Sequence, residues 1–95
     1  MTIEKAQKDI CRYLFRENII GTALPDGTVK AEGSFTSSTI ASILRQYLTA
    51  GGWHMTPDSD FMRNPKTISF RKEGIEVFFN MRIFESEIKI RQWQS

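Results

Sequence analysis

Residues 67–93 read TISFRKEGIEVFFNMRIFESEIKIRQW, and this stretch decides the fold. Apolar and polar side chains alternate through three runs, which is the pattern of half-buried β-strands. The runs are residues 67–72, 75–84 and 87–93. They are separated by Glu73-Gly74 and Glu85-Ser86, each short enough to be a two-residue hairpin loop. The sequence therefore predicts a three-stranded antiparallel meander in which residues 75–84 form the central strand.

Two-residue loops also predict which residues face each other across the strands, because loop length sets hairpin register. The predicted pairs are Phe70 with Val77, Ile68 with Phe79, Ile83 with Ile88, and Met81 with Ile90. All eight side chains are apolar and lie on the same face. Both hairpins independently give this inward set, so we expect it to be the buried face of the sheet.

The opposite face of the predicted meander combines aromatic and cationic side chains. Its members are Ser69, Arg71, Glu76, Phe78, Asn80, Arg82, Phe84, Lys89, Arg91 and Trp93. In this register Phe78 lies opposite Trp93, Asn80 opposite Arg91, and Arg82 opposite Lys89. A like-charge pair and exposed aromatic rings are unfavourable in water. We therefore expect a ligand or partner to cover this face.

Two helices precede the meander. Apolar residues recur at helical spacing over residues 3–17, and Thr2 is the expected N-cap. The same spacing recurs over residues 37–50, where Thr36 or Ser37 is the expected cap and Gly51-Gly52 ends the helix. Residues 24–28 (LPDGT) predict a tight turn, within either a short hairpin or an irregular loop. A short helical turn is expected around Pro57. The predicted fold is α+β, a two-layer single domain over residues 1–95 with two main helices on a three-stranded C-terminal meander.

Composition excludes several classes of protein. The chain has 95 residues, with 13 Lys plus Arg against 11 Asp plus Glu and a net charge of +2, so it is not a strongly basic polyanion binder. One cysteine and one histidine cannot form a zinc site, and no metal or cofactor is expected. No signal peptide and no apolar run of transmembrane length is present, so we expect a cytoplasmic protein without a membrane role.

A basic stripe lies on the first predicted helix. Its members are Lys5, Lys8, Arg12 and Arg16, which fall on one side of a helical wheel. Such a stripe could follow nucleic-acid phosphates or an acidic partner. Glu4 with Lys8 and Lys5 with Asp9 are four residues apart and can neutralise it, which favours a solvated helix face.

Catalytic residue combinations are missing from the sequence. His54 has no recognisable acid or nucleophile as a partner, and Cys11 beside the apolar stripe of the first helix is typical of an inert, partly buried thiol. No glycine-rich phosphate loop is present. The sequence therefore predicts a protein that is not an enzyme.

The functional hypothesis is a small binding protein that covers a surface of a larger protein, with aromatic anchors and charge-matching cations on the outer face of the meander. The predicted contact residues are Arg71, Phe78, Arg82, Phe84, Lys89, Arg91 and Trp93. Proteins of this size class include inhibitors, immunity-type proteins, adaptors and accessory proteins of mobile elements such as phages. The alternative is nucleic-acid binding, with Phe78 and Trp93 stacking on bases and the cations on phosphates. A homodimer and an intramolecular cover are the remaining occupants considered for this face.

Overall fold

The computed structural model describes residues 1–56, 67–80 and 87–93 and shows two helices on one face of an antiparallel sheet. The elements, in chain order, are α1 (Ile3–Arg16), β1 (Ile20–Ala23), β2 (Val29–Glu32), α2 (Ser37–Ala50), β3 (His54–Met55), β4 (Thr67–Lys72), β5 (Ile75–Asn80) and β6 (Glu87–Gln92). The predicted α+β class is confirmed. The sheet in the described residues has six strands, however, and the predicted meander β4–β5–β6 is only part of it.

Both helices begin at threonine caps. The Thr2 Oγ1 accepts the backbone N–H of Lys5 at 3.1 Å and starts α1. Thr36 starts α2 in a reciprocal capping arrangement with Thr39, and Gly51 follows its last turn. Side-chain oxygens satisfy N–H groups that the first helical turn leaves without partners. The helices predicted from apolar spacing are confirmed to within one residue.

The turn at residues 24–28 lies in a hairpin, which was one of the two alternatives left by the sequence. The N–H of Leu24 donates to the carbonyl of Thr28 at 2.8 Å, and Gly27 takes a φ of +98° that favours glycine. The side chain of Gln7 on α1 donates to the carbonyls of both Leu24 and Thr28. This hairpin, β1–β2, is therefore anchored to α1.

The strand order is β1-β2-β6-β5-β4-β3, and all neighbours are antiparallel. β2 pairs with β6 through Val29 opposite Ile88 and Lys30 opposite Glu87. This long-range pairing joins the N-terminal hairpin to the C-terminal strands. β3 extends the sheet on the other side, and its two residues are too few to show an alternating pattern.

The first meander hairpin has the predicted register. Ile68 lies opposite Phe79, and Phe70 lies opposite Val77. Glu73 and Gly74 have φ values of 48° and 78°, as a two-residue loop with positive φ at both positions requires.

The predicted register of the second hairpin is wrong. Ile88 lies opposite Phe79 rather than Ile83, and Ile90 lies opposite Val77 rather than Met81, a shift of four residues. A shift by an even number preserves which face each side chain occupies, so alternation alone could not detect it. In the observed register Glu76 faces Arg91, a favourable pair of opposite charges. The predicted loop at Glu85-Ser86 and the helical turn near Pro57 lie outside the described residues.

The core lies between the helices and the inner face of the sheet. Ile10 and Leu14 of α1, Leu44 of α2, and Phe70 and Phe79 of the sheet have no exposed surface. Trp53, after α2, is also buried in this cluster. The Nζ of Lys72 on β4 donates to the carbonyl of Gly51 at 2.6 Å, which ties the end of α2 to the sheet. These contacts leave the other sheet face, here called the outer face, turned away from the helices.

Candidate functional site on the outer face of the sheet

The outer face is organised in rows that cross the strands. One row contains Arg91 on β6, Glu76 on β5 and Arg71 on β4, because Glu76 is paired in register with both arginines. In the next row Phe78 lies between Lys89 and Ser69. The antiparallel register therefore brings distant parts of the sequence together on one surface.

A buried carboxylate joins the two arginines. The Nε of Arg71 donates to the Oε2 of Glu76 at 2.8 Å, and the Nε of Arg91 donates to its Oε1 at 2.7 Å. Glu76 is only 2% exposed. Burial raises the pKa of the Glu76 carboxyl, but the two arginine hydrogen bonds outweigh this effect and the pKa lies below its usual value. Glu76 is thus held as a carboxylate that fixes both guanidinium groups.

Each of these guanidinium groups also lies over an aromatic ring. The Cζ of Arg71 is 4.1 Å from the centroid of the Trp93 ring, and that of Arg91 is 5.5 Å from the centroid of Phe78. Both distances are within the range of cation–π attraction. Trp93, Arg71, Glu76, Arg91 and Phe78 form one connected set, here called the arginine–aromatic cluster.

Two shallow depressions adjoin this cluster, and Phe78 and Lys89 lie between them. The larger, about 370 Å³, is lined by Asp26, Thr28, Phe78, Lys89, Ile90 and Arg91. The smaller, about 140 Å³, is lined by Phe78, Asn80, Glu87 and Lys89. Open depressions of mixed polarity are better suited to side chains of a partner than to an enclosed small molecule.

Asp26 closes one side of the larger depression. Its carboxylate accepts the backbone N–H of Thr28 at 2.9 Å. This hydrogen bond lowers the pKa of Asp26, and the positive charge of Lys89 contributes a smaller effect in the same direction. The N-terminal hairpin therefore presents a negative group next to the cations of β6.

The structure brings five of the seven predicted contact residues together. Arg71, Phe78, Arg91 and Trp93 belong to the arginine–aromatic cluster, and Lys89 borders it. Arg82 and Phe84 lie outside the described residues. Asp26 and Thr28 were not predicted from the sequence to belong to this surface. They reach it because β2 pairs with β6, and no local sequence pattern signals that pairing.

Part of the reasoning that led to this face is wrong. Phe78 lies opposite Lys89 instead of Trp93, and Glu76 rather than Asn80 lies opposite Arg91. Because Phe78 takes the position opposite Lys89, the expected cross-strand pair of Lys89 with Arg82 no longer supports a covering ligand. Ser69 is also 8% exposed, and its hydroxyl lies 2.7 Å from that of Thr56. The outer face is thus partly satisfied by its own side chains.

The basic stripe is on the helical side of the sheet. Lys5 and Arg12 both contact the Oδ1 of Asp9 at 2.9 Å, which confirms the predicted neutralisation of Lys5. Arg16 lies over the rings of Tyr13 and Tyr47, which stack with their centroids 5.2 Å apart. Lys8 is exposed. Three of the four cations therefore have partners within the helical layer.

The two candidate reactive residues, Cys11 and His54, lie on different elements, α1 and β3. Cys11 is a half-buried free thiol whose pKa is raised by burial, which lowers its reactivity. His54 is exposed on β3, opposite Arg71. No group of metal-ligating side chains occurs within residues 1–56, 67–80 and 87–93. Neither α1 nor α2, the helices of the described residues, is long and apolar enough to cross a bilayer.

Comparison of this chain with protein-family models, with curated proteins and with solved structures gave no match.

Proposed function

We propose that this chain is a non-catalytic binding protein that contacts a larger protein through the outer face of its sheet. The observation that supports this most directly is the double hydrogen bonding of Glu76 to Arg71 and Arg91. It fixes two guanidinium groups and their aromatic neighbours beside open depressions. The Arg91 side chain remains 65% exposed and can bind a further acceptor.

Preorganisation is the physical reason for favouring this surface. A long arginine side chain ordinarily loses rotamer freedom when it enters an interface, which costs about 0.5–1.5 kcal/mol. Arg71 and Arg91 are already held by hydrogen bonds and by ring contacts. Much of that cost is therefore met during folding, and arginine and aromatic residues are the types that most often dominate binding energy.

Charge balance favours a protein over a nucleic acid. Among the described residues, the cluster and its depressions place the cations Arg71, Lys89 and Arg91 near the carboxylates of Asp26, Glu76 and Glu87. A surface that binds phosphates requires an excess of positive charge. Alternating charges instead match a partner protein that carries both signs.

Ring accessibility supports the same choice. Single-stranded nucleic acids are bound by stacking of bases on aromatic faces. Arg71 lies over the Trp93 ring and Arg91 over the Phe78 ring, so one face of each ring is covered by a guanidinium group. We therefore keep nucleic-acid binding as the alternative. Inhibitor, immunity-type and adaptor proteins that act in the cytoplasm are the classes that this proposal fits.

The test compares two matched charge reversals. Lys89→Glu changes the proposed surface, whereas Lys8→Glu makes the same change at an exposed position of α1 on the helical side. Each variant and the wild type are used to isolate partners from cells of the source organism. The recovered protein is then purified and its affinity measured by calorimetry. We expect Lys89→Glu and Phe78→Ala to weaken binding by at least about tenfold and Lys8→Glu to leave it within about twofold.

Fluorescence anisotropy with labelled single- and double-stranded oligonucleotides provides the second arm. Affinity for any oligonucleotide that falls steeply with salt and is lost in Lys89→Glu would replace the proposal with nucleic-acid binding. A protein partner whose affinity depends on Lys8 instead of Lys89 and Phe78 would contradict it as well. Circular dichroism melting curves show whether each variant remains folded.

A further inference from the structure

The free edge of β1 is the second surface with an unusual character. β1 ends the sheet within the described residues, and its sequence Ile20-Gly21-Thr22-Ala23 contains no charge and no proline. Natural sheet edges are normally protected by such residues, by bulges or by very short strands. β3, at the other end of the sheet, has only two residues. Among the residues that the structure describes, nothing gives β1 the usual protection against pairing with another strand.

The direction of the β1 backbone groups follows from the hairpin hydrogen bonds. Leu24 donates its N–H to Thr28 across the hairpin, and successive residues of a strand alternate in direction. Thr22 and Ile20 accordingly point their backbone groups toward β2. Gly21 and Ala23 point theirs toward the open edge, where they can bind a further strand.

Exposed apolar side chains border this edge on both sides of the sheet. Ile20 is 61% exposed and shares the outer face with Glu32, its register partner. Phe15 on α1 is 74% exposed. Phe15 lies one helical turn after Cys11. Cys11 packs on β1, because its Sγ is 3.2 Å from the position that a Cβ on Gly21 would occupy. Phe15 and Ile20 thus extend the apolar edge above and below β1.

We propose that two copies of this chain pair β1 with β1 in antiparallel orientation, about a two-fold axis through Gly21, to form one continuous sheet. In this register Gly21 exchanges backbone hydrogen bonds with Gly21 of the second copy. Ile20 lies opposite Thr22 of the second copy.

Charge complementarity favours a second copy as the occupant. Glu32 lies beside Ile20, and Lys30 lies beside Thr22, in the β1–β2 register. The two-fold axis reverses the strand, so Glu32 of one copy falls in the same cross-strand row as Lys30 of the other. Opposite charges are thus aligned across the axis, about three strand spacings or ~14 Å apart, and attract each other at low salt. Both outer faces would lie on the same side of the joined sheet, which gives the dimer two copies of the candidate site.

Sedimentation equilibrium of the full chain tests the proposal without any partner. We expect a reversible monomer–dimer equilibrium. Its dimer dissociation constant should lie between about 1 μM and about 1 mM, which is the range of weak interfaces. Ile20→Lys places a cation in the row of Lys30 of the second copy and should raise the dimer dissociation constant at least about tenfold. Thr49→Lys, an exposed position on α2, is the matched control and should have no effect. Both changes are at exposed positions, so the fold should be retained, and circular dichroism checks this.

A charge swap tests the register. At low salt, Lys30→Glu and Glu32→Lys should each weaken the dimer by about twofold to threefold, and the double variant should restore it. Cys11 lies over Gly21 and hence close to the axis. Because burial lowers the reactivity of this thiol, the short cross-linker bismaleimidoethane is applied for a prolonged time at alkaline pH, where it should link two wild-type chains but not Cys11→Ser chains. A monomer over the whole concentration range, or a dimer unaffected by Ile20→Lys and not linked through Cys11, would overturn the proposal.

Discussion

The Cζ of Arg71 lies 4.1 Å from the centroid of the Trp93 ring, although Arg71 is on β4 and Trp93 directly follows β6. β5 lies between these strands, so the guanidinium group spans the central strand of the meander and binds its Glu76 on the way. The contact therefore couples the two strands that flank β5, beyond the backbone hydrogen bonds of the sheet.

A double-mutant cycle should detect this coupling. Arg71→Ala and Trp93→Ala, measured singly and together by urea unfolding, should give an interaction free energy of about 0.5–2 kcal/mol. Arg71→Lys keeps the charge but loses the planar group that lies on the ring, and should recover less than half of it. Strictly additive single effects would show that the ring contact contributes no stability.

Glu76 is expected to be the most sensitive position of the outer face. Glu76→Gln leaves two guanidinium groups without the charge that neutralises them and should lower the free energy of unfolding by about 2–3 kcal/mol. The matched control is Glu32→Gln, an exposed carboxylate on β2, which should change stability by less than about 0.5 kcal/mol. Equal effects of the two substitutions in chemical denaturation would contradict the structural role of Glu76.

The pH dependence of stability should also depend on Glu76. The pKa of its carboxyl is lowered on folding from the usual 4.5, so the unfolded chain binds the proton more tightly than the folded chain does. The stabilisation from this group is therefore complete above the unfolded pKa and is lost as the pH falls through the lower, folded pKa.

Unfolding free energies of the wild type and Glu76→Gln, measured from neutral pH to strong acid, test this. Their difference should be constant above about pH 5.5 and should shrink only below the usual carboxyl pKa. A difference that already changes between pH 7 and pH 6 would show that another group is responsible.

Gly21 marks a close approach of α1 to the sheet. A Cβ at this position would lie 3.1 Å from the Cδ1 of Leu14 and 3.3 Å from the Cα of Cys11. The second contact is with backbone and cannot be relieved by a rotamer change. Gly21→Ala should therefore cost about 1–3 kcal/mol of unfolding free energy, whereas Thr22→Ala next to it, which is exposed, should cost less than about 0.5 kcal/mol. A stabilised Gly21→Ala protein in thermal melting would contradict the close approach.

Local signals in the sequence were sufficient for the helices and for the first meander hairpin. Thr2 and Thr36 specify helix starts through their own side chains, and Gly74 specifies a loop through its positive φ. The register of β6 against β5 has no such signal. Period-two alternation is the same after a shift of two or four residues, and the observed register is accompanied by the Glu76–Arg91 pair and by the pairing of β6 with β2.

The sequence predicted which residues share the candidate site better than it predicted how they are arranged. Phe78, Lys89 and Arg91 were assigned to the correct face because a strand places alternate residues on opposite sides. The burial of Glu76 was not foreseen, since a charged residue at an outward position is ordinarily solvated. The two arginines that approach it from neighbouring strands make that burial favourable.

The place of β6 in the sheet has a consequence for biosynthesis. β6 is synthesised after the other described strands, yet it lies between the β1–β2 hairpin and the β5–β4–β3 strands. Until it emerges, the nascent chain holds two separate sheet fragments with open edges on β2 and β5, and such edges favour aggregation during synthesis. Folding should therefore include a late step in which β6 inserts between two partly formed halves.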